Sequence, residues 1–165
     1  MNFRNLALGL FISAAVFASA QAGIAGALGA GEATNADGAK GGFAVNFMKR
    51  TLADGSVRVG GHAMFGQRVE GSRPTEIKML RADIVSVDGT ACHAEGRGGF
   101  SGVINGQRVR KEGRVIVDVV DNKRPRAEGT PDTYAMSFAS TDGTVNVSFS
   151  GNVTRGDVKV GTRNN

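Results

Sequence analysis

The chain has 165 residues and a formal net charge of +5, and Cys92 is its single cysteine. This length suits one domain with one apolar core, and a lone cysteine excludes an intrachain disulfide as a source of stability. The basic charge favours anionic partners, such as acidic polysaccharide, lipopolysaccharide or phospholipid headgroups.

The N-terminus has the three-part pattern of a secretory signal peptide. Arg4 lies in a short polar start, an apolar run follows from Leu6 to Phe17, and small residues allow cleavage after Ala20 or Ala22. The apolar run is shorter than the roughly 20 residues of a membrane-spanning helix. We therefore expect residues 1–22 to be a cleaved signal peptide and the mature protein to be secreted, periplasmic or at the cell surface.

Residues 23–42 consist mainly of glycine and alanine, with an Asp37-Gly38 pair near their end and almost no branched or aromatic side chains. Such a composition buries too little apolar surface to compensate for the entropy lost on ordering. The interspersed glycines also disfavour a helix. The segment is therefore predicted to be a flexible leader.

From residue 43 to residue 160 apolar and polar residues alternate, which is typical of strands with one buried face. Phe43, Val45 and Phe47 define the first of these strands, and the runs 134–139 and 145–150 form the clearest hairpin. We expect a single β domain over residues 43–160 and a frayed tail over residues 161–165.

Asx-Gly pairs separate the alternating runs. A two-residue type I′ turn needs positive φ at both central positions, which Asn and Asp tolerate and Gly adopts freely. Hairpin turns are therefore predicted at four places: Asp54-Gly55, Asp88-Gly89, Asn105-Gly106 and Asp142-Gly143.

Further along the chain the apolar parity changes within one run. Ile77 and Met79 lie on one face, while Leu80, Ala82 and Ile84 lie on the other. A β-bulge near Leu80 and Arg81 would reconcile the two sets. In the following run, kinks or close backbone approaches are predicted by a group of closely spaced glycines: Gly96, Gly98, Gly99 and Gly102.

The run count gives about eight strands with short links and no amphipathic helix. We therefore predict an all-β fold, either an antiparallel β-sandwich or a small closed barrel. Tryptophan is absent, so the Cys…Trp…Cys spacing of an immunoglobulin domain is absent too.

Several short motifs between Gly42 and Val160 occur together in one order: Gly61-His62, Val87-Asp88-Gly89-Thr90-Ala91, Ile104-Asn105-Gly106, Asp121-Asn122-Lys123-Arg124-Pro125, Asp132-Thr133-Tyr134, Ser150-Gly151 and Gly156-Asp157-Val158. Because it contains these motifs, the segment resembles the domain that follows choice-of-anchor P regions in bacterial surface and secreted proteins. The resemblance implies an extracellular β module without established catalytic residues. The chain departs from that pattern at Lys123, Arg124 and Arg126, where neutral Gly-rich residues are typical, and at Cys92.

No nucleophile and base are placed together by the sequence. Cys92 and His93 are adjacent, so on a strand their side chains point to opposite faces and cannot act as a pair. The only other histidine is His62. No spaced pair of carboxylates indicates a hydrolase, so we expect a protein that is not an enzyme.

Three acidic residues flank one polar loop and are the candidates for a metal site: Asp121, Glu128 and Asp132. Carboxylate oxygens suit a hard cation such as Ca²⁺. The cations of the same loop would repel a metal, so the preferred interpretation is a solvated loop, in which Asp132 hydrogen-bonds to nearby backbone. No cofactor is expected.

Basic residues form two groups, which are the candidates for binding an anion or an anionic surface. The first group is Arg108, Arg110, Lys111 and Arg114, and the second is Lys123, Arg124 and Arg126. At about 3.3 Å per residue, the strand between them separates the groups by roughly 20 Å. We therefore expect two basic edges at opposite ends of the sheet. No aromatic residues alternate with these cations, so nucleic acid is not an expected partner.

These observations predict a secreted, non-enzymatic β module for surface display, adhesion or interaction with matrix or glycan, with an anionic glycan or envelope component as partner. The alternative is a small-ligand carrier with an apolar barrel interior. Its cavity would be lined by six side chains: Phe43, Phe47, Tyr134, Met136, Phe138 and Phe149.

Overall fold

The computed structural model describes residues 22–68, 74–122 and 129–164. These ranges contain eight strands: β1 Gly23–Thr34, β2 Lys40–Thr51, β3 Val57–Gln67, β4 Thr75–Asp88, β5 Ala91–Ile104, β6 Gln107–Val120, β7 Thr133–Ser140 and β8 Asn146–Asn164. Within the described ranges, no helix has the length and apolarity to cross a membrane.

Each strand pairs antiparallel with its neighbours in sequence, and β8 pairs back with β1 to close the sheet into a barrel. Of the two predicted architectures, the closed barrel is therefore the one that the structure has. The all-β class and the number of strands are confirmed.

Alternate side chains of each strand point into the barrel and form its core. Tyr134 is fully buried, and its ring stacks on Phe43 with ring centroids 4.4 Å apart. Phe65 lies 6.0 Å from the same ring and 4.5 Å from Phe149. The aromatic rings of β2, β3, β7 and β8 thus contact one another inside the barrel.

The turn between β5 and β6 is the type I′ turn that the sequence predicts. Ile104 pairs with Gln107, which leaves Asn105 and Gly106 as the two central residues with φ of 51° and 78°. Asn105 is the only described residue other than glycine with positive φ. The prediction is confirmed here because both central residues adopt the left-handed conformation.

The other three pairs lie in hairpins, but not as two-residue type I′ turns. Asp88 is the last residue of β4 and pairs with Ala91, so Gly89 and Thr90 form that turn. Asp54 and Asp142 lie in longer loops, where their carboxylates accept hydrogen bonds from the N–H groups of Ser56 and Thr144. There the aspartate stabilises the loop through its side chain, and only the glycine takes positive φ.

Residues 23–42 are not a flexible leader, and this prediction is wrong. They contain β1, the turn with Asp37-Gly38 and the start of β2. β1 is hydrogen-bonded on both sides, to β2 and to β8, and Ala27 and Ala33 are buried. A Cβ on Gly26 or Gly31 would overlap the backbone of a neighbouring strand. The small residues therefore permit close strand approach, and the two hydrogen-bonded ladders order the segment.

The C-terminal end also differs from the prediction. Gly161 to Asn164 belong to β8 and pair with Gly26 to Gly23, so only Asn165 of the predicted frayed tail lies outside the described residues. The barrel spans residues 23–164 rather than 43–160. Residues 1–21, which contain nearly all of the predicted signal peptide, lie outside the described residues.

The predicted β-bulge in β4 is confirmed, and a second one follows it. The register with β5 shifts between Met79 and Arg81 and again between Ala82 and Ile84. As a result Leu80 and Arg81 are both exposed, and so are Asp83 and Ile84. Each bulge thus places two consecutive side chains on the outer surface of the barrel.

Candidate functional site

Two adjoining concavities lie on the outer surface of β4, β5 and β6, and together we name them the outer cleft. Their volumes are about 840 Å³ and 500 Å³, and they share Leu80, Gly99 and Glu112. Both are open to solvent along one side and lie within the size range of small-ligand sites. The outer cleft is therefore the main candidate binding surface of the described residues.

Glycines of β5 make this surface concave. Gly99 pairs with Lys78 of β4 on one side and with Glu112 of β6 on the other, so the middle strand contributes no side chain there. A Cβ on Gly96 or Gly98 would overlap the carbonyl oxygens of β4. The close backbone approach predicted from these glycines is confirmed at Gly96 and Gly98.

The first predicted basic group lies at this cleft. Arg108, Arg110 and Arg114 are exposed on the outer face of β6, and Arg108 and Arg110 make no ion pair with any described residue. Pairing of β6 with β7 begins only at Gly113, so both arginines lie on the part of the β5–β6 hairpin that extends beyond β7. These two guanidinium groups are available to an anion.

Lys111 points away from the arginines of its own strand. Its Nζ lies 2.5 Å from Oδ2 of Asp142 in the loop between β7 and β8. The Lys111 ammonium, followed by the hydroxyl groups of Thr144 and Ser140, holds the pKa of Asp142 well below its usual range. Lys111 therefore stabilises a loop, although it lies beside the cleft.

The second basic group, Lys123, Arg124 and Arg126, lies outside the described residues, as does Glu128. Val120 and Thr133, which flank that segment, pair with each other at the end of β6 opposite to Arg108. Arg108 and the pair formed by Val120 and Thr133 therefore lie at opposite ends of β6.

Two of the three metal candidates accept backbone hydrogen bonds. Asp121 Oδ2 accepts from the N–H of Val160 at 3.2 Å, and Asp132 accepts from the N–H groups of Asn122 at 2.8 Å and Val158 at 3.5 Å. Asp132 is 7 % exposed. β8 continues beyond Asn152, which pairs with Thr133 at the start of β7. The N–H groups of Val158 and Val160 therefore have no partner on β7, and the two carboxylates accept their hydrogen bonds. No cluster of three metal-binding side chains occurs among the described residues.

Replacing Asp132 with alanine is expected to lower the free energy of unfolding by about 1–3 kcal/mol, because buried N–H groups lose their acceptor. Urea denaturation with and without Ca²⁺ measures the effect. Asp88→Ala, at an exposed carboxylate at the end of β4, is the control for loss of an acidic residue. A stability that rises with Ca²⁺ in the unaltered protein and not in the variant would contradict the structural role.

A network of charged side chains around His93 also lies on the outer face of the barrel. It was not predicted from the sequence. His93 Nδ1 lies 2.7 Å from Asp118 Oδ1, and Nε2 lies 2.9 Å from Glu95 Oε1. The other oxygen of Glu95 pairs with Arg114. Alternation along β5 places His93 and Glu95 on the same face. Their partners on β6, Asp118 and Arg114, can be identified only from the register between β5 and β6.

Cys92 points into the barrel, as its position beside an outward-facing His93 requires. It is buried, and burial, with a smaller contribution from the charge of Asp118, raises the pKa of its thiol to about 11. The thiol is therefore protonated at neutral pH and is a small apolar core group rather than a nucleophile.

All six side chains proposed to line a carrier cavity are buried. Three of them contact one another: Phe43 stacks on Tyr134, whose hydroxyl donates to Met136 Sδ at 3.4 Å. Phe138 stacks on Phe100 with ring centroids 5.8 Å apart. These contacts are those of packed side chains.

Comparison of the chain with models of protein families gave no match, and comparisons with curated proteins and with solved structures gave none either.

Proposed function

We propose that the protein is a secreted, non-enzymatic binding module of the cell envelope or extracellular space, which binds an anionic partner at its outer cleft. Such a module would act in surface display, adhesion or interaction with matrix or glycan. The signal-like N-terminus and the resemblance to domains that follow choice-of-anchor P regions support the extracellular location. The ring contacts inside the barrel favour a binding site on its outer surface.

The availability of Arg108 and Arg110 is the observation that carries this proposal. Other cations at the cleft have carboxylate partners: Lys78 pairs with Glu76 at 3.0 Å, and Arg114 pairs with Glu95. The two free arginines lie on one face, two residues apart, and guanidinium groups bind carboxylate, sulfate and phosphate in a bidentate manner. An anionic ligand gains these contacts without first breaking an ion pair between described residues.

The double variant Arg108→Ala/Arg110→Ala is expected to bind immobilised heparin about tenfold more weakly than the unaltered protein, because each exposed charge contact contributes up to about 1 kcal/mol. Binding is measured at increasing salt concentration, since screening weakens surface contacts. Heparin is used here only as a model polyanion.

Arg50→Ala/Arg58→Ala is the matched control. These two arginines pair across β2 and β3, are exposed, and make no ion pair with any described residue. The control removes the same charge from another surface and should reduce binding much less. Equal losses in both double variants would mean that net charge, and not the outer cleft, determines binding.

A further inference from the structure

We propose, building on the proposed function of the outer cleft, that its partner is an acidic polypeptide that inserts an apolar side chain beside Leu80. Leu80 is 75 % exposed, the largest value among the exposed large apolar residues of the described chain. Both concavities of the cleft include it. A leucine exposed at the junction of a cleft is a site at which a partner can bury apolar surface.

The bulges of β4 create this exposure. In a regular strand Leu80 and Arg81 would point to opposite faces, but the register shift after Met79 leaves both outside. The second register shift, after Ala82, leaves Asp83 and Ile84 both on the outer surface, and Ile84 is 48 % exposed. Two apolar side chains are thus set among charged neighbours on one face. Protein interfaces have this composition, with an apolar centre and a polar rim in which arginine is enriched.

The charges around Leu80 favour a polypeptide over a uniform polyanion. Carboxylates alternate with the cations: Asp83 lies 3.5 Å from Arg81 and 3.8 Å from Arg97, and Glu112 lies between the arginines of β6. A chain with an anionic group on every unit would contact these carboxylates as well as the arginines, which lowers its affinity for the cleft. A polypeptide can place its acidic residues at Arg108 and Arg110 and other residues elsewhere.

The described lining of the cleft has no exposed aromatic side chain on which a ring of a ligand could stack. Phe100 is the only aromatic residue at either concavity, and it is buried in the core. The described surface of the cleft therefore offers no exposed aromatic platform on which a base could stack. Aliphatic side chains at Leu80 and Ile84 suit an aliphatic group of the partner instead.

Three probes test the proposal with the full mature protein: a peptide with one leucine between two segments in which glutamate alternates with serine, the same peptide with serine for leucine, and polygalacturonate. We expect the leucine peptide to bind most tightly. Leu80→Ser should weaken its binding about tenfold and leave binding of the serine peptide unchanged, because only the leucine peptide loses a contact.

Leu28→Ser is the control, since Leu28 is 63 % exposed on β1 and distant in sequence from the cleft strands. It should leave all three affinities unchanged. Equal binding of the leucine and serine peptides, or tighter binding of polygalacturonate that ignores Leu80, would overturn the polypeptide proposal while leaving the anionic site intact. If none of the probes binds and the arginine variants have no effect, the proposed function itself fails.

Discussion

Replacing Phe65 with alanine is expected to lower the free energy of unfolding by about 3–5 kcal/mol, which is a large part of the stability of a domain of this size. Phe65 is buried, and its ring contacts the rings of Tyr134 and Phe149. Its removal leaves a cavity between strands that close-packed neighbours cannot fill. Urea denaturation followed by circular dichroism measures the loss.

The same variant separates a packed core from a carrier cavity. If Phe65 lined a ligand site, its truncation would enlarge a space that is already empty, and stability would change little. Phe65→Leu is the control, because it keeps most of the apolar volume and should cost less than Phe65→Ala. A small loss in Phe65→Ala, together with uptake of an apolar ligand by the unaltered protein, would favour the carrier.

Replacing Gly31 with valine is expected to cost at least about 3 kcal/mol or to prevent closure of the barrel. A Cβ at this position would overlap the carbonyl oxygen of Arg155 and lie 3.1 Å from the Cα of Gly156 on β8. The strands would have to separate at the β1–β8 ladder, and their hydrogen bonds would be lost. Thermal unfolding of the purified variant measures the change.

Gly66→Val is the matched control on β3. No atom of the described residues lies within 4 Å of a Cβ added there, and valine favours extended backbone, so this change should be neutral or slightly stabilising. If residues 23–42 were a flexible leader, both variants would behave alike. A destabilisation confined to Gly31→Val would show that β1 is part of the barrel in solution.

Local signals in the sequence were enough to predict the all-β fold and most of its strands. Alternation and turn residues act over a few positions, so Asn105-Gly106 and the bulge after Met79 could be read directly. β1 could not be predicted in this way, because hydrogen-bonded ladders with β2 and β8 order it, rather than its own side chains. Composition measures what a segment can bury, and β1 needs little burial once both edges are hydrogen-bonded.

The charged residues of the candidate site could be predicted from the sequence, but the shape of the cleft could not. Arg108 and Arg110 could be selected from the sequence as exposed cations at a strand's start. The cleft depends on the register that sets Gly99 between Lys78 and Glu112, and register between β4 and β5 includes two bulges. The network around His93 was missed for the same reason, since Asp118 lies 25 positions away in the chain.

Closure of the barrel by β1 and β8 affects how the protein must fold. Gly23 pairs with Asn164, so the first strand finds its second partner only after the last strand is available. Every other pair joins neighbours in sequence and can form early, whereas this one has the largest loop-closure cost. Until then the outer edges of β1 and β8 are unpaired, and each can add a strand from another molecule. Exchange of β1 or β8 between two copies is therefore the misfolding route to which this topology is most exposed.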